Sequence, residues 1–140
     1  WCHDLVAKAN VRNRYCLSAD GGDSYSPPTS TPLSGETCTP LALENNHVLC
    51  VYRRSDKRGL WAHLARIDVY VWVPLADERL WGTAVASHDD VGESMVGAMK
   101  TLRFGCPTVL QLATGDVLAA FWCVEDCVSN IRWLRLAIEF

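Results

Sequence analysis

No stretch of this sequence is apolar over the roughly 20 residues that a bilayer-crossing helix needs, so no membrane partner is expected. Basic residues are not in excess. With 13 Lys and Arg against 16 Asp and Glu, the net charge is −3, and the electrostatic footprint that a phosphate backbone attracts is missing. Nucleic acid is therefore not expected as a partner. Apolar residues at helical spacing are scarce, which argues against a helical domain. The opening Trp1-Cys2-His3-Asp4 has no methionine, no charged n-region and no apolar h-region, so no secretory signal is visible, and the compartment stays open. Low hydrophobicity is also absent: 49% apolar and 21% charged residues exclude a disordered chain, and 140 residues can bury a sizeable core. The reading is a soluble, folded protein for which no cofactor is expected.

What is present is a series of short Val, Leu, Ile and aromatic runs between Gly, Asn, Asp and Pro turns, the pattern of an all-β protein. The runs repeat. Thr39 to Tyr52 lies over Thr108 to Phe121 without a gap, at an offset of 69 residues, with identities at Thr39/Thr108, Leu41/Leu110, Leu43/Leu112, Val48/Val117 and Leu49/Leu118. Each copy reads as strand, tight turn, strand, followed by a short acidic loop and a further strand, Leu60 to Asp68 in one and Ile131 to Glu139 in the other. The first copy adds a fourth strand, Val69 to Pro74. A truncated third copy opens the chain, with Trp1-Cys2-His3-Asp4 parallel to Trp122-Cys123-Val124-Glu125 and Arg14-Tyr15 parallel to Arg132-Trp133.

Four-stranded antiparallel units of this kind are the blades of a β-propeller, which closes with roughly 4 to 8 of them. Residues 1–30 read as the end of one blade, 36–75 as a second, 76–103 as an insertion or connection, and 104–140 as a last blade without its outer strand. An array this short leaves end faces and strand edges uncovered, so missing blades of the same protein or self-association are expected to complete it. The insertion from Ala76 to Thr101 has weak helical spacing at Met95, Met99 and Leu102 behind capping candidates Asp89 and Asp90. Seven cysteines are an odd number, and five sit in or beside apolar runs, where a reduced cysteine behaves as a small hydrophobe. Free thiols are expected, and no metal, because Cys123, Cys127 and Cys2 lack the close paired spacing of zinc ligands.

Ser18-Ala19-Asp20-Gly21-Gly22-Asp23-Ser24-Tyr25 fits the pattern Ser-x-Asp-x-Gly-x-Thr/Ser-aromatic. Asp20 can accept hydrogen bonds from backbone N–H groups of the turn, Gly22 can take positive φ, and Tyr25 can pack into the sheet as the next strand begins. Pro27 and Pro28 then end the pairing. This segment resembles the Asp box, or BNR repeat, of the sialidase (neuraminidase) superfamily, and Leu41 to Arg54 and Pro107 to Leu136 are similar to the last two blades of bacterial sialidase-like proteins. The resemblance implies a partial six-bladed propeller from the C-terminal end of a sialidase-like glycoside hydrolase. A glycan or glycoside ending in an acidic sugar is the implied partner.

Such enzymes hold the substrate carboxylate with arginines and use a tyrosine nucleophile with a glutamate, plus an aspartate as acid/base. The resemblance places Arg53 at a carboxylate-binding position, and arginine suits the task because its planar fork binds bidentately and keeps its charge. Arg54 adjoins it as a substrate-binding candidate. The tyrosine position, six residues before Leu112, is Cys106, and the glutamate position is Trp122, with Glu125 and Asp126 close by. Cys106 has no histidine near it in sequence to activate it, so a buried structural cysteine is the expected role. His3 and Asp4 occupy the loop equivalent to Glu125 and Asp126 and are further substrate-binding candidates. Trp61, Trp81 and Trp133 can stack on sugar rings or fill the space between blades. The alternative to a hydrolase is a non-catalytic propeller that binds carbohydrate or protein, which the replacements at Cys106 and Trp122 favour.

Overall fold

The computed structural model describes residues 12–54, 57, 59–82 and 103–139. They form β1 (Arg12–Tyr15), β2 (Thr29–Ala42), β3 (His47–Arg54), β4 (Gly59–Asp68), β5 (Val71–Trp81), β6 (Phe104–Gln111), β7 (Val117–Glu125) and β8 (Val128–Leu136). The fold is all-β and every pairing is antiparallel. No helix among the described residues is long and apolar enough to cross a membrane. Strands β1 to β5 pair in chain order as one sheet, and β6 to β8 form a second.

Tight turns explain why neighbours in sequence are neighbours in space. Asn45 and Asn46 both have positive φ (56° and 60°) between β2 and β3, as do Val69 and Tyr70 (43° and 70°) between β4 and β5, and Asp126 and Cys127 (49° and 63°) between β7 and β8. Two left-handed residues in succession give the turn whose twist matches that of paired strands, so each loop locks the register of its hairpin. Asn tolerates this conformation better than Val or Tyr, which are held in it by the pairing on either side.

The internal repeat persists in the hydrogen-bonded register. Leu41 pairs with Leu49 and Leu110 with Leu118; Thr39 pairs with Val51 and Thr108 with Ala120; Glu36 pairs with Arg53 and Gly105 with Trp122. Both β2 and β6 break register at the same place, between Glu36 and Thr39 and between Gly105 and Thr108. At each break a non-glycine residue takes positive φ, Thr37 at 49° and Cys106 at 47°. These are β-bulges 69 residues apart, so the repeat extends one feature further than sequence identity shows. The third strand of each unit is offset by 71 rather than 69, since Leu64 faces Leu49 where Arg135 faces Leu118. The second hairpin runs two residues further between equivalent pairs, from Cys123 to Asn130 against Arg54 to Gly59, and this accounts for the change.

The core lies between the sheets. Leu49, Val51, Leu60 and Ala62 of the first sheet meet Val117, Phe121 and Cys123 of the second, and all are buried. Trp81 closes one end, its ring 5.1 Å from Phe104 and 6.0 Å from Phe121. Thr39 Oγ1 donates to the Pro107 carbonyl at 2.6 Å, tying the two bulged strands together. A second apolar cluster of Leu33, Cys50 and Tyr52, flanked by Cys38, Val48, Trp61 and Trp72, covers the opposite face of the first sheet. The six described cysteines are free thiols: Cys50 and Cys123 are buried, Cys16 and Cys38 half-buried, and Cys106 and Cys127 exposed.

Several boundaries differ from those read in sequence. The fourth strand of the first unit begins after the Val69-Tyr70 turn and continues to Trp81, so Ala76 to Trp81 belongs to β5 and not to an insertion. Leu64 pairs with Ala76 and His63 with Asp77 across a bulge, and backbone pairing, which Pro74 interrupts only locally, outweighs the polar composition of that stretch. Met95, Met99, Leu102, Asp89 and Asp90 lie outside the described residues. Pro27 and Pro28 do not end the pairing: β2 starts at Thr29, pairs with β1 at that residue, and passes without a break into its pairing with β3. The final strand runs from Val128 to Leu136 rather than from Ile131 to Glu139.

Because Phe121 fills the contact between sheets and Leu110 is 61% exposed on the far side, the two truncations separate core from surface. Phe121→Ala is expected to cost about 3–5 kcal/mol, and Leu110→Ala less than about 1 kcal/mol. Urea denaturation of the two variants checks the contrast.

Candidate functional site

The candidate residues divide between the two ends of the sheets. At one end lies the turn from Ser18 to Tyr25. Asp20 Oδ1 accepts from the Ser24 amide at 3.0 Å and from Ser18 Oγ at 2.7 Å, its Oδ2 accepts from Ser24 Oγ at 2.5 Å, and Ser18 Oγ accepts from the Gly22 amide at 2.7 Å. These bonds, those from Ser24 first, hold the Asp20 carboxyl far below the usual carboxylate range. Gly22 has φ of 107°, where an L side chain is strained. Tyr25, expected to pack into the sheet, is instead 66% exposed. Its hydroxyl lies beside Gly22, so the ring folds back over the turn rather than into the core. The turn adjoins a cavity of about 460 Å³ lined by Leu17, Ala19, Leu43, His47, Ile67 and Tyr70, among others.

The opposite end carries the charged candidates. Arg53, near the end of β3, follows Leu49 and Val51 on the face toward the second sheet, and its Nη2 donates to the Glu36 carboxylate across the β2–β3 pair. Burial lowers the Arg53 pKa, while the nearby Cys106 side chain pulls it the other way. The bulge explains this neighbourhood: positive φ at Cys106 turns that residue out of the ladder at the point where the sheets meet Arg53. Cys106 is exposed, which corrects the expectation of a buried structural cysteine. Gly35 allows β2 to come close here, since a Cβ at that position would lie 2.2 Å from the Arg53 carbonyl oxygen.

Arg54 points to the opposite face, so alternation along β3 separates the two arginines. Its guanidinium lies 4.7 Å from the centre of the Trp61 ring and donates to Asp77 Oδ2 at 3.2 Å. Asp77 Oδ1 lies 2.7 Å from His63 Nδ1, and Trp72 Nε1 donates to His63 Nε2 at 3.1 Å. An indole can only donate, so Nε2 of His63 is an acceptor and its proton sits on Nδ1 facing Asp77. With both ring nitrogens engaged and the side chain buried, His63 supports the sheet and is not placed to take a proton from a substrate. Asp77, His63 and Trp72 are absent from the candidates read in sequence, because only the β4–β5 register brings them together.

Glu125 Oε2 accepts from Arg132 Nε at 2.9 Å and Nη2 at 2.7 Å, and Oε1 accepts from Trp81 Nε1 at 3.3 Å. These contacts, Arg132 first, lower its pKa. The Trp81 bond spans the two sheets, so Glu125 closes their contact and is poorly suited to act as a general base. Asp126 is an exposed turn residue with φ of 49°. Of the tryptophans, Trp81 is packed between the sheets, Trp61 lies under Arg54, and Trp133 is exposed. His3 and Asp4 lie outside the described residues. Among the described residues no group of three or more His, Cys, Asp or Glu is arranged to hold a metal ion. The structure thus joins Arg53 to Glu36 within electrostatic reach of Cys106, turns Arg54 to the opposite face, and engages Glu125 with Arg132 and Trp81.

The depressed Glu125 pKa means that its pairing stabilises the fold above the ordinary glutamate range and is lost as pH falls through the lower folded-state value. Between about pH 5 and pH 2, the wild type should lose stability more steeply than Glu125→Gln; equal slopes in acid denaturation would remove the ion pair as a stabilising contact. Comparison with protein-family models, with curated proteins and with solved structures finds no match to this chain.

Proposed function

We propose that this chain is part of a sialidase-like β-propeller and contributes Arg53 to binding the carboxylate of an acidic sugar. The observation that carries the reading is the position of Arg53: a partly buried guanidinium at the rim between two packed, register-equivalent β-units, with one nitrogen held by Glu36. A guanidinium in such a setting is oriented before a ligand arrives, and a charge-assisted bond there is screened less than on open surface. The Asp-box turn lies at the other end of the same sheet, where its hydrogen bonds stabilise a loop and leave the arginine end for binding. Neither feature alone identifies a substrate. Together they match what the sequence resemblance implies.

A second reading is favoured by a specific observation. Cys106 occupies the position of the family's tyrosine, Trp122 that of its glutamate, and the adjacent Glu125 is engaged by Arg132 and Trp81. Among the described residues no histidine contacts Cys106, and the two described histidines with ring contacts bond elsewhere. These facts support binding without hydrolysis by this part of the molecule.

Arg53→Ala should weaken binding of N-acetylneuraminic acid, measured by ligand-observed NMR, by about tenfold to a hundredfold, the range of a lost charge-assisted bond. Glu36→Gln, which removes the competing carboxylate, should preserve or tighten it. The parallel assay is hydrolysis of a fluorogenic sialoside by the full-length protein. Affinity and hydrolysis both unchanged in Arg53→Ala would sink the proposed role.

A further inference from the structure

We infer that Cys38 of β2 and Cys50 of β3 form a reversible disulfide, which pins the β2–β3 hairpin under oxidising conditions. The register brings the two residues to one face of the first sheet. Pro40 pairs with Cys50 and Thr39 with Val51, so Cys38, two residues from Pro40, lies diagonally across the ladder from Cys50. Both belong to one apolar cluster: Cys50 is buried in it with Leu33 and Tyr52, and Cys38 packs against them. Among the described cysteines no other two share a cluster, since Cys123 lies in the core between the sheets and Cys106 and Cys127 are exposed. The thiols also touch. A hydrogen bond with Cys50 first, and burial second, raise the Cys38 pKa.

The bulge decides which thiol moves. Glu36 pairs with Arg53 and Thr39 with Val51, so Thr37 and Cys38 together stand opposite the single residue Tyr52. Cys50 has no such freedom, because it lies in the unbroken β3–β4 ladder, paired with His63. Drawing the sulfurs from hydrogen-bond contact to a bond of about 2.05 Å therefore falls on the irregular segment of β2, where Thr37 is already strained at φ of 49°. Accessibility sets the order of the chemistry. Cys38 is half-buried and Cys50 wholly buried, so Cys38 meets the oxidant, a small-molecule disulfide. The deprotonated Cys38 sulfur attacks one sulfur of that disulfide; a mixed S–S bond forms, the old one breaks, and the departing thiolate takes up a proton. Cys50 then gives up its proton, its sulfur attacks Sγ of Cys38, and the second small thiolate leaves and is protonated. Two protein thiols are oxidised, and one small disulfide is reduced to two thiols. The hydrogen bond and the burial that keep Cys38 protonated slow the first step, so the pair is a staple set by the redox poise and not a catalyst of exchange. Bridging positions 12 apart in sequence restricts the unfolded chain, so the oxidised form is the more stable.

The test equilibrates the intact chain with reduced and oxidised glutathione at fixed ratios, quenches it in acid, alkylates it with N-ethylmaleimide in urea and cleaves it after glutamate. Cleavage after Glu36, Glu44 and Glu78 puts Cys38 and Cys50 on separate peptides, each with no other cysteine. Mass spectrometry should find these two peptides joined with the loss of two hydrogens, and excess dithiothreitol should separate them. At a given glutathione ratio, the proportion of joined to open form should be at least about tenfold higher in the native chain than in concentrated urea, because the fold holds the thiols together. Cys50→Ala should leave Cys38 as a mixed disulfide with glutathione, whereas Cys38→Ala should leave Cys50 a free thiol. Circular dichroism checks that both variants are folded. If they are not, the comparison of native and urea-unfolded wild type decides alone. A proportion in the native chain no higher than in urea, a bridge from Cys38 or Cys50 to another cysteine in preference, or no joined peptides in fully oxidised glutathione overturns the pair.

Discussion

The contact between the two sheets is the constraint on which the rest of the structure depends. A three-stranded antiparallel sheet such as β6–β8 has one face that must be covered to be stable in water, and Leu49, Val51, Leu60 and Ala62 cover it. Their meeting with Val117, Phe121 and Cys123 excludes water from both ladders and fixes how the units are placed. Every candidate for chemistry at the arginine end takes its position from that contact. Arg53 comes within electrostatic reach of Cys106 because β2 and β6 come together there, and Glu125 is tied to Trp81 because the tryptophan closes the same apolar seam.

The bulges at Thr37 and Cys106 show how local strain serves that contact. A non-glycine residue with positive φ is disfavoured, yet both units carry one at the same point of the same strand. The bulge re-aims the strand, and Thr39 just beyond the first bulge reaches the carbonyl of Pro107 within the second. Placing Cys106 in the second bulge turns it outward, where a thiol can meet solvent and the Arg53 charge at once. The same geometry makes Gly35 necessary, because β2 approaches β3 too closely for a side chain.

Alternation along a strand is as consequential as the packing. Two adjacent arginines look like one basic cluster in sequence, but the pleat sends Arg53 to the sheet interface and Arg54 to Trp61, Asp77 and His63. The second group forms a closed chain of hydrogen bonds ending on the indole of Trp72, which itself lies 5.4 Å from the Tyr15 ring. It supports the first sheet.

Sequence by itself determined the all-β character, the duplicated unit and the hairpin turns, because alternation of apolar residues and turn chemistry at Asn45-Asn46 and Gly115 are local properties that each segment carries alone. It also specified the turn from Ser18 to Tyr25, whose hydrogen bonds run between residues no more than four apart. Tertiary structure decided what those local rules do not reach. The length of β5 followed from its pairing with β4, against a composition that reads as a connection, and the network of Asp77, His63 and Arg54 joins three strands through register. Exposure of Tyr25, Cys106 and Trp133 was likewise settled by which faces found a partner. Burial is a property of the surface that another segment covers, and that covering depends on contacts between residues far apart in the chain.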